Sequence, residues 1–368
     1  MRSERVLHFI YGDLAYKNFL HPLIQFNKHT FLSQDVIIGG NGIDKSSKLM
    51  KGKGLHFGYN FKLTSLRISF FKIFRLILKK SPSIVVAHMS LCATYPLLIS
   101  KILKVEKRIY ICHGAPYMGY GGVLRLSLKI IEKFNISLST LTICVSPSIQ
   151  YELRKISKKS HIVSTSPGSC SGLPYEKYLS KEGVYNKFEN QRDELKVLYI
   201  GRPNRRKGLF DLLGAANSKS ILERKISIDV VGIDISELSI NLKNLPVNVR
   251  FHGFQLDLSS FYLDNDIVIL PSWHEGFGYA LLEGAAFGCA MIASNIPGPD
   301  SIVINNVNGS LIPARSQRGI EECILNYYND RDMLLNHMKN AYIRSLDFEE
   351  NKILAQMTDF LTNNQYRT

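Results

Sequence analysis

The sequence lacks an apolar run long enough to cross a bilayer, and its cysteines show no pairing pattern. The longest apolar stretch, residues 84–100, is interrupted by polar side chains and falls short of the roughly 18 apolar residues that a spanning helix needs. The six cysteines have no CxxC spacing, so neither a disulfide framework nor a zinc site is indicated. The first residues also lack the apolar region of a secretory signal. We therefore expect a cytoplasmic protein.

Acidic residues are scarce in the first half of the chain. Residues 1–190 contain 28 Lys and Arg against 10 Asp and Glu, a net charge of +18, whereas residues 191–368 contain 18 against 21, a net charge of −3. This asymmetry indicates that the first half meets an anionic partner such as a membrane surface, a phosphorylated lipid or a nucleic acid. Because no helix-turn-helix, RNP-like aromatic run or zinc knuckle accompanies the charge, we expect no nucleic acid.

One basic segment, residues 62–80, has the pattern of an amphipathic helix. Its sequence KLTSLRISFFKIFRLILKK places apolar residues on one side and Lys or Arg on the other at 3.6 residues per turn. Two interpretations stay open. The segment is either a crossover helix that buries its apolar side on a sheet, or an interfacial helix that holds the protein peripherally on the inner face of the plasma membrane.

Length and alternation of elements predict an α/β protein of two Rossmann-like domains. A chain of 368 residues with 45% hydrophobic residues is long enough for two cores. Strand-like runs alternate with helical stretches, which is typical of doubly wound parallel sheets. The predicted strands are Val6–Tyr11, Val36–Gly39, Ile84–His88, Arg108–Cys112, Thr142–Val145, His161–Ser164, Lys196–Ile200, Ile226–Val231, Val249–Phe251, Ile267–Leu270 and Ala290–Ala293.

The domain boundaries follow from a polar stretch in mid-chain that has no clear period. We predict a first domain at 1–173, a linker at 174–194 and a second domain at 195–347. Residues 348–368 have apolar residues at helical spacing. They are predicted to form a helix that returns towards the first domain.

The segment 270–288, LPSWHEGFGYALLEGAAFG, is the richest in chemical groups. Its pattern is a strand, a loop and a helix start, where glycines allow close backbone approach and free N–H groups can bind phosphate or sugar oxygens. Glu275 would face such a ligand, and Glu283 could accept hydrogen bonds from a ribose diol. The alternative is that Glu275 interacts with the helix dipole and Glu283 is a solvated surface acid.

The segment 197–213, VLYIGRPNRRKGLFDLL, places a cationic loop between a strand and an apolar helix. Arg202 and Lys207 could stabilise the charge of a departing diphosphate without a metal ion. The alternative is an ordinary solvated turn.

Together these motifs resemble family four retaining glycosyltransferases, which have the GT-B fold of two Rossmann-like domains facing across a cleft. The resemblance rests on GR, four residues and KG, followed by two glutamates separated by seven residues. It continues through PSWHEGFGYALLEGAAFGCAMIASNIPG and NGSLIP. In the first half it is looser, resting on HGAPY at 113–117, VSPS at 145–148 and GSCSG at 168–172, the last of which resembles a segment of bacterial polysaccharide glycosyltransferases.

The resemblance implies a role for each matching residue. Arg202 and Lys207 would hold the diphosphate, and Glu275 the donor sugar. His113 would contact the sugar from the first domain, although a histidine satisfied by backbone hydrogen bonds is the alternative. The remaining implied donor contacts are Glu283 with the ribose, the backbone of Gly276, Phe277 and Gly278 with the sugar, Gly253 and Phe254 with the base, and Gly12, which stands where the family often has paired glycines.

The implied activity is transfer of a sugar from a nucleoside diphosphate sugar to a glycan or lipid-linked acceptor with retention. The pathway implied is bacterial surface polysaccharide synthesis, such as O-antigen or capsule. We expect no cofactor and no metal, since Arg202 and Lys207 supply the compensating charge. Two rival functions stay open, a sugar-nucleotide epimerase on the same fold and a non-catalytic nucleotide-sugar-binding subunit of a glycan assembly complex.

Overall fold

The computed structural model describes residues 4–39, 66–158, 161–174, 181–190, 192–238 and 245–366. These form two compact units, each built on one parallel sheet. The first unit contains the described residues up to Gly172 and those from Glu350 onward, and the second runs from Leu173 to Glu349. The prediction of two doubly wound α/β domains is therefore confirmed.

Six strands form each sheet. In the first unit they are β1 Arg5–Tyr11, β2 Ser33–Gly39, β3 Ile84–His88, β4 Lys107–Cys112, β5 Leu141–Cys144 and β6 Ile162–Ser164. In the second they are β7 Leu195–Ile200, β8 Ile226–Val231, β9 Val249–Phe251, β10 Ile267–Leu270, β11 Ala290–Ser294 and β12 Gly309–Ile312. All predicted strands are present within one to three residues at each end, and β12 was not predicted.

The helices lie mostly in the crossovers between strands, as right-handed parallel connections require. In the first unit they are α1 Asp13–Ala15, α2 His21–Phe26, α3 Leu66–Lys80, α4 Ser90–Ile102, α5 Gly122–Leu138 and α6 Pro147–Ile156, with a π-helical turn at Tyr16–Leu20. In the second they are α7 Lys181–Glu189, α8 Leu209–Ala216, α9 Lys219–Leu222, α10 Ser259–Asp264, α11 Tyr279–Ala286, α12 Gln317–Asn329 and α13 Arg331–Ser345, and α14 Glu350–Thr362 follows. No described helix is both long and apolar enough to cross a membrane.

Strand order gives each sheet a point where the topology reverses. The orders are β2-β1-β3-β4-β5-β6 and β12-β11-β10-β7-β8-β9, so the reversals fall between β1 and β3 and between β7 and β10. The strands are rich in Val and Ile and almost wholly buried, because helices cover both faces of a parallel sheet. Ligands in such folds bind beyond the carboxyl ends of the strands at the reversal.

The linker predicted at 174–194 is wrong in part, because it contains helix α7. Val184 and Phe188 of this helix are buried in the core of the second unit, where both side chains lie directly against Gly288. The polar residues around this pair conceal its helical spacing in the sequence.

Helix α14 packs within the first unit although it follows the whole second unit in sequence. Its buried residues include Ile353, Met357 and Leu361. The Lys107 ammonium, itself buried, donates to the Leu361 carbonyl at 2.7 Å. Gln356 exchanges two hydrogen bonds with the backbone of Ser166.

The basic segment at 62–80 forms the crossover helix α3, with residues 62–65 lying outside the described part of the chain. Ile73 and Ile77 are buried against Leu7 and Val85 of the first sheet. Helix α3 therefore has the core-packing role that one of its two interpretations required.

Candidate active site

The two loops that were predicted to bind the donor follow neighbouring strands of the second sheet. β7 pairs in parallel with β10, and the order of strands reverses between them. The loop 201–208 and the loop 271–278 therefore leave the sheet side by side, at the point where a parallel sheet binds ligands.

Backbone contacts lock these two loops together. Gly208 has a φ of 75°, and a Cβ added there would collide with the carbonyl oxygen of Pro271. The Trp273 backbone N–H donates to the Arg206 carbonyl at 2.8 Å. Only glycine combines this backbone conformation with so close an approach, so the position of the cationic loop is fixed by the loop that carries Glu275.

An ion pair joins the loops. Lys207 Nζ lies 2.6 Å from Glu275 Oε2, and the Ser272 hydroxyl donates to the same oxygen at 3.4 Å. The exposed fractions of the Lys207 and Glu275 side chains are 27% and 17%, so the pair is partly desolvated yet reachable by a ligand. An ammonium group has three N–H donors; Glu275 accepts from one of those on Lys207, and no other residue in the described part of the chain accepts from this ammonium.

Tyr199 lies beneath this pair. Its hydroxyl donates to the Lys207 carbonyl at 3.4 Å. Burial, together with the negative charge of Glu275, raises the pKa of Tyr199. The phenol therefore stays neutral and acts as a fixed support for the cationic turn.

Trp273 anchors the loop of Glu275 from its outer side. The indole Nε1 donates to Asp211 Oδ2 at 2.6 Å, and the Arg315 guanidinium lies 4.4 Å from the ring centroid. Sequence reasoning did not single out these three residues. Trp273 stands two positions before Glu275, and it is the only tryptophan of the chain, which was the available signal.

The turn 276–278 presents backbone rather than side chains. The Phe277 ring is buried against Phe348 with centroids 5.6 Å apart, so this residue can contact a ligand only through its main chain. Gly278, with a φ of 106°, precedes the first residue of α11. A Cβ added at Gly298 would lie 2.8 Å from the carbonyl carbon of Gly276, which shows how tightly the turn is held from behind.

Glu283 is a half-buried and oriented carboxylate, unlike the solvated acid of the alternative interpretation. The Tyr262 hydroxyl donates to Glu283 Oε2 at 2.8 Å. Tyr262 is fully buried and stacks on Phe287, with centroids 5.4 Å apart and ring planes 8° apart. Tyr262 was also missed from the sequence, because a contact between side chains on different elements has no local pattern.

Three other predicted donor contacts lie on loops at the same end of the sheet. Arg202 is exposed and, among the described residues, makes no ion pair. Gly253 has a φ of 62° and accepts a hydrogen bond from the Gly232 N–H at 2.7 Å, and the neighbouring Phe254 side chain is exposed. No hydrogen bond between described residues joins Arg202, Gly253 or Phe254 to the ion pair of Lys207.

The first unit places His113 directly after β4. Its Nε2 lies 3.1 Å from His88 Nδ1, and its Nδ1 lies 3.8 Å from the Cys170 sulfur. The Phe19 ring packs against it at 5.1 Å. His113 is thus oriented by side chains from three different segments, and the buried His88 is one of its partners.

Burial keeps the histidines of this cluster neutral. It lowers the pKa of His113 to about 4 and that of His8 to about 3. The pKa of His88 is lowered well below its usual value, first by burial and then by repulsion from the other two imidazoles. At neutral pH, His88 and His113 therefore share one hydrogen bond between two uncharged rings, and His113 cannot act as a standing cation.

Gly12 follows β1 at the reversal point of the first sheet. It has a φ of 90°, and its N–H donates to the Gly39 carbonyl at 2.7 Å. A Cβ added at Gly12 would meet no atom of the described residues within 4 Å. The loop is therefore set by backbone conformation and has open space beside it.

Comparison with known proteins agrees with this architecture. Residues 181–344 match the family model of glycosyl transferases group 1. The chain is 25% identical over 279 residues, 72% of either chain, to the capsular polysaccharide biosynthesis glycosyltransferase CapM of Staphylococcus aureus. It is also 25% identical over 283 residues, 73% of either chain, to the N,N'-diacetylbacillosaminyl-diphospho-undecaprenol alpha-1,3-N-acetylgalactosaminyltransferase of Campylobacter jejuni.

Solved structures show the same fold. The crystal structure of Anabaena HepE in complex with UDP and glucose aligns with a TM-score of 0.75 and 16% identity, covering 98% of this chain and 100% of that one. The protein thus has the GT-B fold of glycosyltransferases. Its residues 181–344 match the group 1 glycosyl transferases, and the chain is a glycosyltransferase.

Proposed function

We propose that this glycosyltransferase moves a sugar from a nucleoside diphosphate sugar to a lipid-linked acceptor during synthesis of a bacterial surface polysaccharide. The observation that carries the proposal is the ion pair of Lys207 and Glu275, held at the reversal point of the second sheet. Support comes from relatives in Campylobacter jejuni and Escherichia coli that are named as transferases acting on diphospho-undecaprenol acceptors, the second with UDP-Gal as donor.

The donor would extend along the carboxyl edge of the second sheet. Lys207 binds the diphosphate with the two N–H groups that Glu275 leaves available, and the exposed Arg202 reaches it from the same loop. Glu275 and the backbone of 276–278 bind the sugar, and Glu283 accepts hydrogen bonds from the ribose. Gly253 and Phe254 meet the base.

The reaction we propose keeps the anomeric configuration and needs no metal. The bond between the anomeric carbon and the diphosphate oxygen breaks, the acceptor oxygen bonds to that carbon on the same face, and the departing phosphate takes the acceptor proton. Negative charge grows on the diphosphate as the bond breaks. Fixed cations at that position lower the barrier because they are already oriented before the reaction begins. The neutral His113 would orient the donor sugar or the acceptor by hydrogen bonding.

A lipid-linked acceptor would bring the enzyme to a membrane surface. We infer peripheral binding to an anionic leaflet through the first unit, because residues 1–190 carry a net charge of +18. Attraction of basic residues to anionic lipid adds to whatever affinity the acceptor itself provides.

The proposal is tested by a calorimetric screen of the purified protein against UDP, GDP, dTDP and CMP and their common sugars, with and without magnesium. We expect one nucleoside diphosphate to bind in EDTA, and its sugar to be transferred to a polyprenyl diphosphate saccharide. An altered sugar nucleotide formed from the donor alone would identify the epimerase. Binding without any turnover on a panel of lipid-linked acceptors would favour the non-catalytic subunit.

Tyr262 provides a test of the ribose contact. In Tyr262→Phe, Glu283 loses a fixed hydrogen bond, and we expect the Kd for the nucleoside diphosphate to rise roughly tenfold, the value of one hydrogen bond to a charged group. Because position 262 keeps an aromatic ring that stacks on Phe287, the unfolding temperature should change little. Glu283→Ala should weaken binding further, and the double variant should equal Glu283→Ala alone. Additive losses would show that Tyr262 does not act through Glu283.

A further inference from the structure

Three helices of the first unit lie side by side on one face of its sheet. Ile73 of α3 and Ile99 of α4 belong to one buried cluster, together with Leu7, Phe9 and Val85 of the sheet. The adjoining cluster combines Leu97 of α4, Leu128 and Ile136 of α5, and Ala87, Tyr110 and Cys112 of the sheet. Because these strand residues share one face of the sheet, the opposite sides of α3, α4 and α5 form a common outer surface, which we call the outer helical face.

The outer helical face is unusually apolar for a surface in water. Val123 is 82% exposed, Phe71 64% and Ile130 60%. Residues 122–127, at the start of α5, are all exposed. The exposed large apolar side chains of these helices are Phe71, Leu78, Leu91, Ile102, Val123, Leu124, Leu126, Ile130 and Phe134. Val123, Leu126, Ile130 and Phe134 recur at helical spacing along α5, and an exposed apolar stripe of this kind marks a binding surface.

The charged residues among these apolar side chains have one sign. The three helices contain a single carboxylate, that of Glu132, and it is buried. The exposed charged side chains of these helices are Lys72, Arg75, Lys79, Lys101, Arg125, Lys129 and Lys133. A surface of Lys and Arg mixed with large apolar residues is complementary to lipid head groups above acyl chains.

The outer helical face is also rigid where it is most apolar. The Tyr110 hydroxyl donates to Glu132 Oε1 at 2.6 Å beneath α5. Asn135 of α5 donates to the Ser90 carbonyl at 2.6 Å and accepts from the Thr94 hydroxyl at 2.9 Å, both on α4. These buried bonds hold α4 and α5 in fixed positions, so the exposed side chains need little ordering when a partner binds.

We propose that the outer helical face docks on the surface of an anionic lipid bilayer, with the apolar side chains of α5 entering the head-group region. The proposal rests on the proposed function, whose acceptor is carried in a membrane, and it names the surface that meets that membrane. A second copy of the chain fits less well, because a symmetric dimer would set Arg125, Lys129 and Lys133 against the same cations of its partner.

The test is cosedimentation of the full chain with vesicles of phosphatidylcholine, alone or mixed with an equal amount of phosphatidylglycerol. We expect binding to the mixed vesicles only. Reversing Arg125, Lys129 and Lys133 to Glu should lower the partition coefficient by at least roughly 100-fold, since each basic residue near an anionic surface contributes about fivefold and each new Glu adds repulsion. Changing Val123, Leu126 and Ile130 to Ser should also release the protein while leaving its unfolding temperature unchanged.

A matched control reverses three exposed cations elsewhere, Lys28, Arg250 and Lys339, and should bind vesicles nearly as the parent does. Equal loss in both charge variants, or binding to neutral vesicles, would overturn the proposal. The proposal would also be overturned if the protein bound no vesicles and instead formed a dimer that the serine variant dissociates. Calorimetric binding of the nucleoside diphosphate identified in the screen above, measured without vesicles, reports separately on the proposed function. Failure of docking while this binding is intact would contradict the docking alone.

Discussion

We expect replacement of Lys207 with alanine to lower kcat by roughly 100-fold or more, because in the proposed reaction the diphosphate would then depart without this fixed cation. The change should fall mainly on kcat rather than on the KM for the donor, since charge on the diphosphate is larger in the transition state than in the bound substrate. In this variant the Glu275 side chain, which is only 17% exposed, loses its ion-pair partner. The measurement is steady-state transfer at saturating acceptor.

Arg205→Ala is the matched control for Lys207→Ala. Arg205 and Lys207 belong to one 3₁₀ turn, Arg205–Lys207. The Arg205 guanidinium, however, lies 5.6 Å from the Trp273 ring centroid and is not paired with Glu275. We expect less than about a threefold loss. A raised KM with unchanged kcat in Lys207→Ala would show that this ammonium serves only ground-state binding. Equal losses in both variants would show that general positive charge, rather than the position of Lys207, is what matters.

Replacing Gly208 with alanine should destabilise the second unit by about 3 kcal/mol, because a positive φ and a collision with the Pro271 carbonyl act together. For a unit of this size, that corresponds to a fall in Tm of roughly 6–12 °C. To relieve the collision, the two loops would have to move apart. This movement would separate Lys207 from Glu275 and reduce sugar transfer even in the fraction of protein that remains folded. Calorimetric unfolding and turnover measured at low temperature check the two effects separately.

Gly253→Ala separates backbone conformation from collision. Gly253 also has a positive φ, of 62°, but in the part of the chain that the structure describes no atom lies within 4 Å of a Cβ added there. We expect a loss of about 1 kcal/mol, the cost of the backbone conformation alone. If both variants melted at the same temperature, the contact between Gly208 and Pro271 would not be what holds the loops together.

The parallel strands and the positions of the two loops proposed to bind the donor could be predicted because their signals are local. The apolar run 267–270, for example, is continuous, as a strand buried on both faces must be. Arg202, Lys207 and Glu275 follow such runs directly, so their place at the edge of a sheet followed from sequence.

The elements that were missed owe their structure to contacts distant in sequence. Helix α7 has one apolar pair, Val184 and Phe188, and gains its stability by packing into the core of the second unit. Strand β12 has only four residues and is defined by its pairing with β11. The hydrogen bond from Tyr262 to Glu283 and the one between His88 and His113 each join side chains on different elements. No spacing along the chain predicts such pairs.

Helix α14 makes the first unit discontinuous in sequence, which has a consequence for synthesis of the protein. When β1 to β6 leave the ribosome, the buried ammonium of Lys107 still lacks the Leu361 carbonyl that accepts its hydrogen bond. That partner is translated only after the whole second unit. The nascent first unit must therefore wait for some 180 further residues with part of its core uncovered, whereas the second unit is contiguous and can complete its fold as it emerges.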